Sequence, residues 1–309
     1  MGTAYSVRIV VPPDEPDLTL EGLSEQIAAR LDELEDHFST YRPDSEIRRF
    51  NAFPEQELFP VSPVFMDVFR QAMSVNEVSG GAFDPTVGPL VDLWGFGAGG
   101  DAGRIPQREE VQLLLASTGF THLQLRETPA AVRRMLPGVQ LDFSAIAKGN
   151  AVDEVWHLLS EAGLSDYLVE IGGEVRTRGI RADGGDWSIG IESPDGSGVT
   201  EAVRLRDAAI ATSGDYRNYF QYQGQRYSHL LDPRTGWPVA HDLTAVSVVS
   251  DTAAVADALA TALLVLGPTD GLELAERENI AARLVVRSAD GVTILRTPAF
   301  EAALAGDRL

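Results

Sequence analysis

Cysteine is absent from the 309 residues, so disulfides and thiolate metal sites are excluded. Cationic side chains are scarce. Twenty-five Lys and Arg stand against 46 Asp and Glu, giving a formal net charge of −21. That balance leaves no cationic footprint for nucleic acid, and an anionic membrane surface would repel the body of the chain. An anionic ligand would need a local cation, and a divalent metal is the obvious source. No apolar run approaches the ~18–20 residues that cross a bilayer. No signal peptide is visible before the strand-like Thr3–Val11. The glycine-rich Trp94–Gly100 lacks the Gly-Lys-Ser/Thr ending of a P-loop. A zinc-type His pair at helical spacing and a G-x-S-x-G nucleophile elbow are also missing.

What remains is a chain long enough for one large domain or two small ones, with an ordinary apolar fraction. Ala4-Tyr5-Ser6-Val7-Arg8-Ile9-Val10 alternates as a strand does. Leu23, Ile27, Leu31, Leu34 and Phe38 recur at helical spacing, and further helices are expected at Ser45–Phe50, Val64–Val78 and Arg108–Ala116. Strands are expected at 121–125, 132–136 and Val139–Phe143, followed by a central helix from about Ala145 to Ala162. A run of strands without helices follows: 167–171, 174–178, 187–191, 202–206, 209–212, 216–222 and 225–231. Such a run indicates antiparallel pairing. Leu243–Val249 reads as another strand. Ser250 or Asp251 then caps a helix that Gly267 and Pro268 end. A helix at Asp270–Glu278, a pair of strands at 280–287 and 291–296, and a short tail at Phe300–Leu304 complete the reading. The fold class is α+β: mostly antiparallel sheet with packed helices. Residues 1–309 are expected to form a single domain, in two lobes with a seam near Gly95–Gly103 and the ligand site between them.

Chemistry concentrates at a few stretches. In Leu141-Asp142-Phe143-Ser144-Ala145-Ile146-Ala147-Lys148-Gly149, Asp142 and Ser144 stand where the central helix begins. A helix start offers unpaired N–H groups and a positive dipole end to an anion, and Lys148 adds a full charge. The same stretch also suits an ordinary strand-to-helix junction. Asp257 and Thr261 lie four apart, on one helix face among leucines. A carboxylate with a hydroxyl there suits Mg²⁺ or Ca²⁺; the plainer reading is a surface Asp and a helix-bonded Thr. Asp84, before Pro85, forms a turn or holds a ligand. Tyr41 and Phe83 stack on a ring or belong to the core. His229 stands in a strand-turn motif, and a histidine is the side chain type suited to a general base near neutral pH.

Taken together these stretches resemble the ApbE family, the FAD:protein FMN transferases. The resemblance runs over nearly the whole chain. It is carried by Phe38-Ser39-Thr40-Tyr41-Arg42, Gly81-Ala82-Phe83-Asp84-Pro85-Thr86, Asp142 to Gly149 and Glu170-Ile171-Gly172-Gly173-Glu174. It continues through Ala211-Thr212-Ser213-Gly214-Asp215-Tyr216, Ser228-His229-Leu230-Leu231-Asp232-Pro233-Arg234-Thr235-Gly236 and Asp257-Ala258-Leu259-Ala260-Thr261.

The resemblance implies a T-fold-like architecture. It implies FAD contacts from Met1, Tyr41, Ala82, Phe83, Asp84, Asp142, Lys148, His229, Leu230 and Leu231. It implies Mg²⁺ on Asp257, Thr261 and the carbonyl of Ala145, with Ala260 adding its carbonyl. The implied reaction is attack by a client Thr or Ser hydroxyl on the FMN-side phosphorus of FAD, releasing AMP. His229 is the expected proton acceptor, and Asp215 the weaker candidate. Implied clients are flavin-carrying subunits of respiratory redox complexes. An exported, lipid-anchored location is expected, with any membrane contact made only through that anchor; the cytoplasm is the alternative. Two other activities use the same residues: an FAD pyrophosphatase giving FMN and AMP, and a non-catalytic FAD-binding carrier.

Overall fold

The computed structural model describes residues 2–11, 20–97, 104–192, 198–215, 219–288 and 291–305. Met1, most of the glycine-rich seam (98–103) and 216–218 lie outside the described residues. In chain order the elements begin with β1 (Tyr5–Ile9), α1 (Leu23–Phe38), α2 (Glu46–Ala52), β2 (Phe59–Pro60), α3 (Pro63–Val78), α4 (Gly88–Leu93) and α5 (Arg108–Leu115). They continue with β3 (Leu123–Arg126), β4 (Ala131–Arg134), α6 (Ala147–Glu161), β5 (Tyr167–Ile171), β6 (Glu174–Arg178), β7 (Trp187–Glu192), β8 (Val199–Leu205) and β9 (Ala209–Gly214). The C-terminal part holds β10 (Tyr219–Tyr222), β11 (Gln225–Ser228), β12 (Leu231–Asp232), β13 (Trp237–Pro238), β14 (Leu243–Ser250), α7 (Ala253–Arg277), β15 (Ala281–Ser288), β16 (Gly291–Arg296) and α8 (Pro298–Ala305).

A seven-stranded sheet in the order β1-β5-β6-β9-β14-β15-β16 organises the molecule, and each of its pairings is antiparallel. Both of its faces are buried. Val169, Ala211, Val246 and Val248 meet the helices in the main core, together with Leu259, Leu263 and Leu264 of α7. Their alternating neighbours Leu168, Val175, Ile210 and Val249 face a second core, built from Trp187, Val203 and Leu205 of the β7–β8 hairpin and Phe300 of α8. Two buried faces explain why Leu243–Ser250 is buried almost throughout, Thr244 and Ser247 included, and does not alternate between buried and exposed residues. A third cluster of Leu90, Trp94, Val111 and Leu231 anchors α4 and α5 to the β12 region.

Several local expectations change. The apolar run Val139–Phe143 pairs with no described strand. Leu141 is held instead by the side chain of Asn51, which accepts from its N–H and donates to its carbonyl, both at 2.8 Å. α6 begins at Ala147, two residues late, without a side-chain cap. Asp142 instead accepts from Ser144 N and Oγ, closing a turn before the helix. Thr252, not Ser250 or Asp251, caps α7 by accepting from Val255 N. The strand expected over 225–231 breaks after Ser228, and the tail at Phe300 is part of α8.

α7 turns at Gly267 (φ 86°, ψ −178°), where a Cβ would lie 2.7 Å from His241 Cδ2. Glycine is therefore required, and Pro268 starts the second segment. Counted through this break, α7 is long and apolar enough to cross a membrane. Its apolar residues instead fill the main core.

Candidate active site

A cleft of about 1680 Å³ is lined by pieces from both ends of the chain. They include Thr3–Arg8, the stretch 82–97 that contains α4, the segment Gln140–Lys148, the Gly172–Glu174 turn, β7, β9, the turn after β11, and Asp257, Thr261 and Val265 of α7. Its volume exceeds the roughly 300–1,000 Å³ of ordinary small-ligand pockets.

At its base α6 and α7 cross closely. Gly149 permits this, since a Cβ there would lie 2.2 Å from Ala253 O. Asp153 of α6 reinforces the crossing. Its carboxylate accepts from Ala253 N and Ala254 N at 2.9 Å each, satisfying the first donors of α7, and from Arg176 Nη1 at 2.8 Å. The anion at the start of α6 is likewise a protein group: Gly149 N–H donates to Asp257 Oδ2 at 3.1 Å. The N-terminal donors foreseen for a phosphate are thus used in part to fix Asp257.

Asp257 and Glu174 are almost wholly buried, at 2% and 1% exposure. Lys148 Nζ donates to Glu174 Oε1 and lies 3.7 Å from Asp257 Oδ1. Burial, and then the nearby Asp257 charge, pushes Glu174 up to about 7 against the pull of Lys148. Burial raises Asp257 as well, opposed by Lys148 and the Gly149 N–H. Burial works against the Lys148 charge, but the two carboxylates outweigh it and hold its pKa above the ordinary value. Glu174 Oε2 is buried with no hydrogen-bond partner among the described residues.

Of the residues foreseen for a metal, Asp257, Thr261 and Ala145 line the cleft. Ala260 is fully buried and does not. Thr261 Oγ1 shares a 2.9 Å hydrogen bond with Ser213 Oγ. Among the described residues no three Asp, Glu, His or Cys side chains converge. A cation here would therefore draw on hydroxyl and carbonyl oxygens beside Asp257. That donor chemistry, with an unpartnered carboxylate oxygen nearby, fits a hard divalent ion such as Mg²⁺.

The residues foreseen for flavin also gather here: Tyr41, Ala82, Phe83, Asp84, Asp142, Lys148, His229, Leu230 and Leu231 all line the cleft, while Met1 lies outside the described residues. Tyr41 is 77% exposed, on a turn where Ser39 Oγ accepts from Tyr41 N and Arg42 N. Ala82 and Phe83 are buried. Asp84 is already occupied. Its Oδ1 accepts from Thr86 N (2.8 Å) and Thr86 Oγ1 (2.6 Å), and its Oδ2 from Asn76 Nδ2 and Phe120 N (3.2 Å each). It holds the 82–87 turn in shape, the turn-forming alternative of its sequence reading. His229 is half-buried, its ring 6.2 Å from that of Phe96. Asp215 is not brought into the lining. Its Oδ2 lies 3.2 Å from Arg226 Nη1, so its charge is turned toward β11.

Sequence reasoning assigned no role to Glu174. The available signal was an acid directly after a Gly-Gly turn: the tight β5–β6 hairpin pairs Glu174 with Ile171.

The ApbE family pattern matches residues 1–284. FAD:protein FMN transferase of Vibrio cholerae is 41% identical over 293 residues, covering 94% of this chain and 86% of that protein. The Escherichia coli K12 protein of the same name is 35% identical, covering all of this chain and 88% of its own length. The crystal structure of the Pseudomonas stutzeri flavinyl transferase ApbE superposes with a TM-score of 0.89 at 41% identity, covering 99% of this chain and 94% of that one. The ApbE protein of Thermotoga maritima gives 0.85 at 32% identity, with 98% of each chain covered. With the family pattern over most of its length and relatives matched almost end to end, the chain belongs to the ApbE family.

Proposed function

We propose that this chain, a transferase by its family, moves the FMN moiety of FAD onto a Thr or Ser hydroxyl of a client flavoprotein, with Mg²⁺ required and AMP released. The observation that carries the reading is one cleft bringing together a hard-oxygen donor set, a lysine, an exposed tyrosine and a histidine. In the proposed step the client oxygen bonds to the FMN-side phosphorus. The bond from that phosphorus to the bridging oxygen breaks, and the bridging oxygen leaves on AMP. Asp257, Thr261 and the Ala145 carbonyl would hold the metal, which when bound neutralises charge on the pyrophosphate oxygens. Lys148 supplies a positive charge at the same end of the cleft. Tyr41 offers a ring face to the isoalloxazine. His229 takes the proton of the incoming hydroxyl. The reading extends to clients among the flavin-carrying subunits of respiratory redox complexes, and to an exported, lipid-anchored location.

The test is AMP release from FAD with Mg²⁺ or EDTA, with and without a Thr-containing client peptide, followed by mass analysis of the peptide. A peptide that gains one FMN only with Mg²⁺ is the expected result. AMP and free FMN regardless of peptide would replace the reading with a pyrophosphatase. Tight FAD binding without AMP would replace it with a carrier. The role of His229 fails if His229→Ala keeps the transfer rate that Asp257→Ala loses.

A further inference from the structure

Glu174 and Asp257 place two carboxylates in the cleft wall with almost no access to water. One ammonium serves both. Lys148 Nζ is bonded to Glu174 Oε1 and stands 3.7 Å from Asp257 Oδ1. With both acids ionised the trio keeps one uncompensated negative charge, and Glu174 Oε2 has no partner among the described residues. Lys148 is not locked in. Its side chain is 35% exposed and lines the cleft, on a stem with four rotatable carbons.

We propose that Lys148 is a built-in counter-ion that competes with the divalent cation for Asp257 and is pushed off Asp257 when the cation binds. The proposal rests on the reading of Asp257 as a cation ligand. Two positive charges cannot share Asp257 Oδ1 at contact distance in a poorly solvated wall. Lys148 would stay tethered by Glu174, and its charge would turn toward the cleft, where an anionic substrate is expected. Glu174 is then a positioning residue. It keeps the displaced ammonium within reach and adds negative charge that favours the cation.

The trio makes a charge ledger that can be read with Mn²⁺ alone, by electron paramagnetic resonance titration at pH 8 without flavin. Lys148→Met removes the trio's only positive charge and should bind Mn²⁺ at least about tenfold more tightly than wild type. Glu174→Gln leaves none in excess and should bind more weakly. The double variant restores a single negative charge and should fall near wild type. A purely structural role for the trio would weaken binding in all three. If Lys148→Met alone does not fold, the double variant must still bind at least about tenfold more tightly than Glu174→Gln. Equal or weaker binding on removal of the lysine overturns the proposal. Asp257→Ala separates the two levels. If it binds Mn²⁺ as wild type does, the cation reading falls and this proposal with it. If it loses Mn²⁺ while removal of the lysine tightens nothing, only the competition falls.

Discussion

Gly149→Ala is the most sensitive probe of the helix crossing beneath the site. The added methyl would lie 2.2 Å from Ala253 O, 2.5 Å from Ala253 C and 2.7 Å from Ala254 Cα. All three are backbone atoms, so no side chain can rotate away. Carbon contacts settle near 3.5 Å, so α6 and α7 must part by about 1 Å. Overpacking of this kind costs about 1–3 kcal/mol, and stretching the Gly149–Asp257 hydrogen bond adds about 1 kcal/mol. Alanine returns about 1 kcal/mol through its better helix propensity. The expected net loss is about 1–3 kcal/mol in urea unfolding. Gly163→Ala is the comparator: its φ of +83° is strained for alanine, yet nothing lies within 4 Å, so about 1 kcal/mol is expected. Mn²⁺ binding should also weaken, because the Gly149 N–H fixes Asp257. The reasoning is refuted if Gly149→Ala lies within about 0.5 kcal/mol of wild type, or costs less than Gly163→Ala.

Three further outcomes follow from the same geometry. Asp153→Ala strips Arg176 and the first two donors of α7 of their acceptor, so it should cost about 3–5 kcal/mol in urea unfolding; a loss under about 1 kcal/mol would show that the clasp is dispensable. Tyr41→Ala should leave stability unchanged, because the ring is 77% exposed, yet weaken FAD binding at least about threefold by fluorescence titration; unaltered affinity would remove Tyr41 from the flavin contacts. Glu174 sits at about 7 against an ordinary 4.5, so its protonated form favours the fold at low pH and that contribution fades as pH rises through about 7. The stability of wild type relative to Glu174→Gln should therefore fall by roughly 3 kcal/mol between about pH 4.5 and 7; a flat or rising difference contradicts the shift.

The sequence made legible what depends on local periodicity. Leu23, Ile27, Leu34 and Phe38 fall on the buried stripe of α1, and Asp257 and Thr261 do share a cleft-facing side of α7. The stop at Gly267-Pro268 is also where the helix breaks. What stayed hidden depends on partners far along the chain. Val139–Phe143 has the apolar content of a strand, but the backbone of Leu141 at its centre bonds to the Asn51 side chain, 90 residues earlier. The acid at the start of α6 comes from Asp257, 108 residues later, so no reading of the helix start alone could find it. The turn-forming role of Asp84 was the plainer reading of its sequence, but its four protein donors could be identified only in the fold. Glu174 gained meaning only when Lys148 came to rest on it.

The path of the chain through the central sheet also means that the cleft is assembled from segments far apart in sequence. β1 is made first, yet its neighbour is β5, with Ser6 opposite Glu170. The cleft wall then waits for Asp257 and Val265 in α7. Closing such long loops is entropically costly and slow, and their contacts reward the chain only late in folding. A nascent or truncated chain that stops before α7 therefore lacks the wall of the cleft that Asp257, Thr261 and Val265 supply.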